Sequence, residues 1–302
     1  MKTVLEIHGL TKQFGQQAIL QDLNLTIKEG DIYGLIGKNG AGKTTLIKII
    51  TQLLFADTGT VSLFSSKSEN EWTKALSRVG SVIESPVAHN HLTAYQNLKY
   101  YCMIRHIPNA DKVIHETLDY VGLSDTGKKV FRDFSLGMKQ RLGIAIALLS
   151  KPDFLILDEP INGLDPIGIK EFRLMIHRLN QEKGITILIS SHILSELYLL
   201  ANRFGILDQG KIIREISKAE FETLSEDYIV LKTSDKERAC QVLKEQIQLQ
   251  FKVVNPENEI HIFGNEQDVK QILKQLTLAD VSIEEIYFAR QNLEEYFTQL
   301  VE

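Results

Sequence analysis

Eight consecutive residues, Gly37-Lys38-Asn39-Gly40-Ala41-Gly42-Lys43-Thr44, constrain this chain more than any other stretch. The spacing Gly-x4-Gly-Lys-Thr lets backbone N–H groups approach phosphate oxygens where a Cβ would intrude. It also opens a helix whose positive end favours anions. The flanks agree with this reading. Residues 32–36, Ile-Tyr-Gly-Leu-Ile, read as a buried strand, and Leu46, Ile47, Ile49 and Ile50 recur on one side of a helix beginning near Lys43. Strand, phosphate loop and helix in that order imply an α/β nucleotide-binding core. Lys43 is then expected at the β- and γ-phosphates of ATP and Thr44 at Mg2+, while Gly37 to Gly42 and Thr45 line the nucleotide. A coincidental glycine turn would match this pattern in roughly 1% of chains of such length.

A phosphate loop of this kind needs acids at the end of a second buried strand. Residues 154–157, Phe-Leu-Ile-Leu, run into Asp158, Glu159 and Pro160. Asp158 is placed to hold Mg2+, and Glu159 to orient and deprotonate the attacking water. A further apolar strand, 185–189, precedes Ser190, Ser191 and His192, and a helical pattern over 168–181 separates the two strands. Apolar strands joined by helices indicate a parallel sheet covered on both faces. An antiparallel pair is expected earlier, at 4–7 and 19–27 about a turn near Phe14-Gly15, followed by a strand at 79–83 and a mostly helical stretch at 93–150. Beyond Ser217 the order changes to βαββαβ. Strands are read at 228–231, 251–254, 259–263 and 283–288, helices at 236–246 and 266–276, and a last helix at 293–301. That order predicts a ferredoxin-like second domain.

At this point residues 2–216 resemble the ATP-binding cassette family, the nucleotide-binding subunits of ABC transporters. The resemblance implies a P-loop NTPase of the cassette type, with a mixed sheet core, an antiparallel β subdomain and a helical subdomain at about 87–150. It implies domains at 1–216 and 217–302, the second a small α+β accessory domain. Phe14 stands where the family stacks an aromatic ring on adenine, with a core phenylalanine as the plain alternative. Asn162-Gly163-Leu164-Asp165-Pro166 looks like the family's D-loop, which reaches across a dimer. His192 looks like its switch histidine, which senses the γ-phosphate. Phe134-Ser135-Leu136-Gly137-Met138 is a degenerate copy of the Leu-Ser-Gly-Gly-Gln signature. In the family that loop grips ATP bound to the opposite subunit, so Ser135 and Gly137 are expected to serve a second cassette, read as a second copy of this chain. Glu84, in Val82-Ile83-Glu84-Ser85-Pro86, replaces the family's glutamine, which touches Mg2+ and links the site to membrane subunits. Glutamate there resembles the subgroup that confers bacitracin and lantibiotic immunity or resistance. A carboxylate is a hard oxygen ligand and can still approach Mg2+.

Composition bounds the partners. A formal charge of -5 carries no basic footprint for nucleic acid. Cys102 and Cys240 form no metal or disulfide motif. Glu6 and His8 interrupt the apolar stretch that a signal peptide would need. No apolar run approaches the ~18 residues that span a bilayer. These bounds fit a cytoplasmic chain, and the resemblance implies an ATPase peripheral on the inner membrane face through separate permease subunits, exporting or removing a peptide antibiotic. The alternatives are a soluble cassette ATPase of translation or DNA maintenance and a non-transport regulatory ATP-binding module. The first of these usually carries two cassettes or a long coiled coil in one chain.

Overall fold

The computed structural model describes residues 2–66, 69–224, 227–254, 259–290 and Tyr296. The chain divides into two compact units, Met1–Lys218 and Ala219–Glu302.

The first unit opens with long antiparallel strands β1 (Thr3–Phe14) and β2 (Gln17–Lys28), which turn at Gly15-Gln16. Next come β3 (Ile32–Ile36), α1 (Lys43–Ile50), β4 (Thr58–Leu63), α2 (Glu69–Leu76) and β5 (Val79–Val82). Three helices, α3 (Ala94–Ile104), α4 (Ala110–Tyr120) and α5 (Leu136–Leu148), divide the stretch expected to be helical. Then follow β6 (Phe154–Asp158), α6 (Pro166–Lys183), β7 (Thr186–Ser191), α7 (Leu194–Leu200), β8 (Arg203–Asp208) and β9 (Lys211–Ser217). One sheet has the order β2-β1-β4; the other, β5-β6-β7-β3-β8-β9, is parallel except at β9. Every residue of β3, β6 and β7 is buried, as a central parallel sheet covered on both faces requires. A single core joins Leu5, Ile7 and Leu25 of the antiparallel sheet to Leu46 and Ile47 of α1 and to Phe154 and Ile156 of β6. Each such side chain contributes about 1.5–3 kcal/mol on burial, and together they fix α1 against the end of β6.

Helices α2 and α7, strand β4 and the β8–β9 pair were not read from the sequence. β4 reads Thr-Gly-Thr-Val-Ser-Leu with only Leu63 fully buried, so its strand character comes from pairing with β1 at Leu5↔Leu63 and Ile7↔Val61. β8 and β9 form an antiparallel edge pair whose β9 is mostly exposed. Between β3 and β8 the sheet admits no extra atom at Gly205. The Tyr33 ring is fully buried, its hydroxyl donates to Glu215 Oε1 at 2.7 Å, and a Cβ at Gly205 would overlap that hydroxyl. Gly205→Ala is expected to destabilise this unit by on the order of 3 kcal/mol. Adding Tyr33→Phe should recover part of that loss. An unshifted urea midpoint for Gly205→Ala would contradict the packing.

In the second unit, α8 (Lys218–Leu224) leads to β10 (Asp227–Lys232), α9 (Lys236–Val242), a π turn at Leu243–Ile247, β11 (Phe251–Val254), β12 (Glu259–Phe263), α10 (Asp268–Leu278) and β13 (Glu285–Arg290). The sheet order β11-β12-β10-β13, antiparallel throughout, is that of a ferredoxin-like βαββαβ fold. Ile229, Leu231, Ile260 and Ile262 pack against Ala239 and Val242 of α9 and Ile272 and Leu276 of α10. The helix expected at 293–301 lies outside the described residues apart from Tyr296.

Candidate active site

The loop after β3 delivers Lys43 into the interior. Gly42 has φ +109, and a Cβ there would meet Leu20 Cδ2 at 2.8 Å and the Ile19 carbonyl at 3.0 Å, so only glycine lets the chain turn into α1. No side chain caps the first turn of α1, so its N–H groups are open to an anion at the loop. Lys43, 5% exposed, folds back so that Nζ donates to the Gly37 carbonyl at 2.6 Å and the Lys38 carbonyl at 3.2 Å. Its third neighbour is Glu159 Oε1, 3.1 Å away.

The end of β6 supplies two carboxylates in different environments. Asp158 is buried, and both its oxygens accept hydrogen bonds: Oδ2 from Thr44 Oγ1 at 2.7 Å and Oδ1 from Ser190 Oγ at 2.6 Å. Glu159 lies just past the strand in left-handed backbone, φ +47. That conformation costs a non-glycine residue about 1–2 kcal/mol. It turns the carboxylate so that Oε2 meets His192 Nδ1 at 2.8 Å, while Oε1 is buried, faces Lys43 and makes no aligned hydrogen bond. The Glu159 N–H donates to Ser190 Oγ at 2.9 Å, and Ser190 thereby fixes both acids. Sequence reasoning gave Ser190 no role. Its only signal there was its place before His192, at the end of a strand adjacent to β6.

The chemistry of these donors fits a magnesium nucleotide. A hydroxyl and a carboxylate 2.7 Å apart offer hard oxygens of the kind Mg2+ takes in ones and twos beside phosphates. Lys43 is held by loop carbonyls, and Glu159 Oε1, in ion-pair contact with Lys43 at 3.1 Å, accepts no aligned hydrogen bond.

The other expected residues fall outside this cluster. Phe14 ends β1 with 51% exposure and Lys12 Nζ 5.5 Å from its ring, so it is a surface aromatic and not a core one. Ser135 caps α5, accepting from the Met138 N–H at 3.3 Å, and Asp165 caps α6, accepting from the Gly168 N–H at 3.2 Å. Leu136 lies over Gly163, where a Cβ would approach it to 2.9 Å; the space beside Gly137 is open to within 3.7 Å of Leu164. Among the described residues no hydrogen bond or ion pair ties Ser135, Gly137 or Asp165 to Lys43, Asp158, Glu159 or His192. Glu84 has φ +61, and its side chain, 62% exposed, pairs with Lys48 at 2.6 Å. Lys48 was not foreseen, although its position four residues after Thr44 puts it on the same helix face. No helix among the described residues is long and apolar enough to cross a membrane.

Residues 20–162 match the family described as ABC transporter. The bacitracin transport ATP-binding protein BcrA of Enterococcus faecalis is 40% identical over 301 residues, covering 100% of this chain and 97% of that protein. The lantibiotic transport ATP-binding protein SrtF of Streptococcus pyogenes is 45% identical over 224 residues, 74% of this chain and 95% of that one. Among solved structures, the ATP-binding cassette MJ0796, a dimer in a post-hydrolysis state bound to ADP and Pi, superposes with a TM-score of 0.63 at 25% identity. It covers 71% of this chain and 98% of its own.

Proposed function

The chain belongs to the ABC transporter family as an ATP-binding, ATP-hydrolysing subunit, and from that premise we propose that it drives removal of a peptide antibiotic of the bacitracin or lantibiotic type through separate membrane permeases. The observation that carries the reading is the cluster at the end of β6, where Lys43, Thr44, Asp158, Glu159 and His192 converge. The substrate class rests on similarity along the full chain to a bacitracin transport protein and on Glu84 in place of glutamine.

In this reading Lys43 leaves the Gly37 carbonyl to bind the β- and γ-phosphates, while the loop N–H groups and Thr45 line the nucleotide. Thr44 and Asp158 would hold Mg2+, and Glu84 would join them on leaving Lys48. Bound there, the metal neutralises charge on the phosphates and fixes their orientation. Glu159, aimed by its left-handed backbone and by His192, accepts the proton of the attacking water. His192 also senses the γ-phosphate, and Phe14 supplies a flat surface for the adenine. Ser135, Gly137 and Asp165, which stand apart from the cluster of their own chain, serve the ATP of a second cassette, a copy of this chain. Residues 1–216 form the cassette, and 217–302 an accessory domain that supports the dimer or regulates it. The subunit works at the cytoplasmic face of the membrane, bound to its permeases, and no nucleic acid takes part.

Co-expression with the membrane proteins encoded beside it, in a sensitive host, tests the substrate. Growth should be sustained at bacitracin or lantibiotic concentrations that stop the parent strain, and Glu159→Gln should abolish that protection. Unaltered sensitivity to both classes, with ATPase activity intact, would refute the substrate assignment.

A further inference from the structure

Glu84 projects from a turn anchored on both sides. Val82 before it is buried in β5, and Pro86 after it presses on α5, where a Cβ at Gly143 would meet Pro86 Cβ at 2.8 Å. The Ser85 N–H donates to the Ile83 carbonyl at 2.8 Å and closes the turn, with Glu84 at φ +61. A non-glycine residue is held in left-handed backbone only when its surroundings require it. Here the result is a carboxylate delivered to Lys48 Nζ at 2.6 Å. Lys48 follows Thr44 by four residues on α1, so the two side chains lie one turn apart on one face, their Cβ atoms about 5–6 Å from each other. Thr44 in turn donates to Asp158. The pair therefore ties the Glu84 carboxylate to the face of α1 that also carries Thr44.

A carboxylate beside phosphates adds repulsion that a neutral amide would not. The Lys48 ammonium, in the last turn of α1 where the helix dipole favours a cation, offsets it. The pair is partly open to water, 36% exposed on the lysine and 62% on the glutamate, so its net strength is small and the carboxylate is exchanged at little cost.

We propose that Lys48 is a positioning residue for Glu84, holding its carboxylate in a charge-neutralised rest position from which it moves to the Thr44–Asp158 pair when Mg2+ and nucleotide are bound. The proposal rests on the assignment of Thr44 and Asp158 as the metal-holding pair. Lys48 and the metal then compete for one carboxylate, and Lys48 sets the Mg2+ concentration at which Glu84 is recruited.

The test uses the full chain carrying Glu159→Gln and reads the binding of trinitrophenyl-ATP by fluorescence as Mg2+ is titrated. Lys48→Met should lower the Mg2+ midpoint about two- to fivefold, the range of an exposed ion pair. Lys48→Arg should restore it, and in a Glu84→Gln background Lys48→Met should change nothing. An equal shift in both backgrounds, or no shift in either, overturns the proposal. Asp158→Asn separates the two levels. If it abolishes the Mg2+ dependence while Lys48→Met has no effect, only the role of Lys48 fails; if the Mg2+ dependence survives Asp158→Asn, the metal assignment beneath it fails.

Discussion

Glu159→Gln is expected to lower ATP turnover by about 10²–10⁴-fold, the usual contribution of a positioned general base, while nucleotide binding persists. The amide is isosteric, can still meet His192, and is no more strained at φ +47 than the glutamate. What it loses is the capacity to take a proton. Binding persists because Lys43, the loop N–H groups and the Thr44–Asp158 pair are untouched, and because one negative charge is removed 3.1 Å from Lys43 Nζ, where phosphate oxygens must come. With hydrolysis blocked, ATP should hold two cassettes together, visible as an ATP-dependent dimer in size-exclusion chromatography. Steady-state hydrolysis at the parent rate would remove Glu159 from its role.

Lys43→Met should act on the other step and cut ATP affinity by at least about 100-fold, roughly 2.7 kcal/mol. Methionine fills the same channel without a charge. The substitution strips the Gly37 and Lys38 carbonyls of their donor and leaves Glu159 Oε1 buried with no cation in reach. Breaking a buried pair at one end costs several kcal/mol for this reason. Affinity is measured by titration with trinitrophenyl-ATP, and circular dichroism establishes that the fold is retained. An affinity within twofold of the parent would place the phosphates elsewhere.

These two expectations rest on residues that were legible in the chain alone. Lys43 and Thr44 follow glycines at fixed offsets, and Asp158 and Glu159 close an apolar strand. Both are local patterns, since backbone approach and strand burial leave their mark on neighbouring residues. The βαββαβ order after Ser217 was legible for the same reason: alternating and 3.6-residue periods are local properties. β4 was not, because a strand of threonines, glycine and serine becomes one only by pairing with β1. The limits of the helices between 93 and 150 were marked locally, by Pro108 in the first break and by Gly122 and Gly127 in the second, but a reading of 93–150 as one mostly helical stretch passes over those signals.

The sequence by itself determined that this chain binds a phosphate with a glycine loop and carries acids at the end of a second buried strand. Only the tertiary structure decided that Ser190 ties both acids together, that Phe14 lies on the surface, and that Leu136 packs over Gly163. It also decided that Glu84 rests on Lys48, 36 residues away. The reason is physical. A motif is fixed by residues that are adjacent along the backbone, whereas these contacts depend on which strands lie side by side and on left-handed turns at Glu84 and Glu159 that residue type alone disfavours.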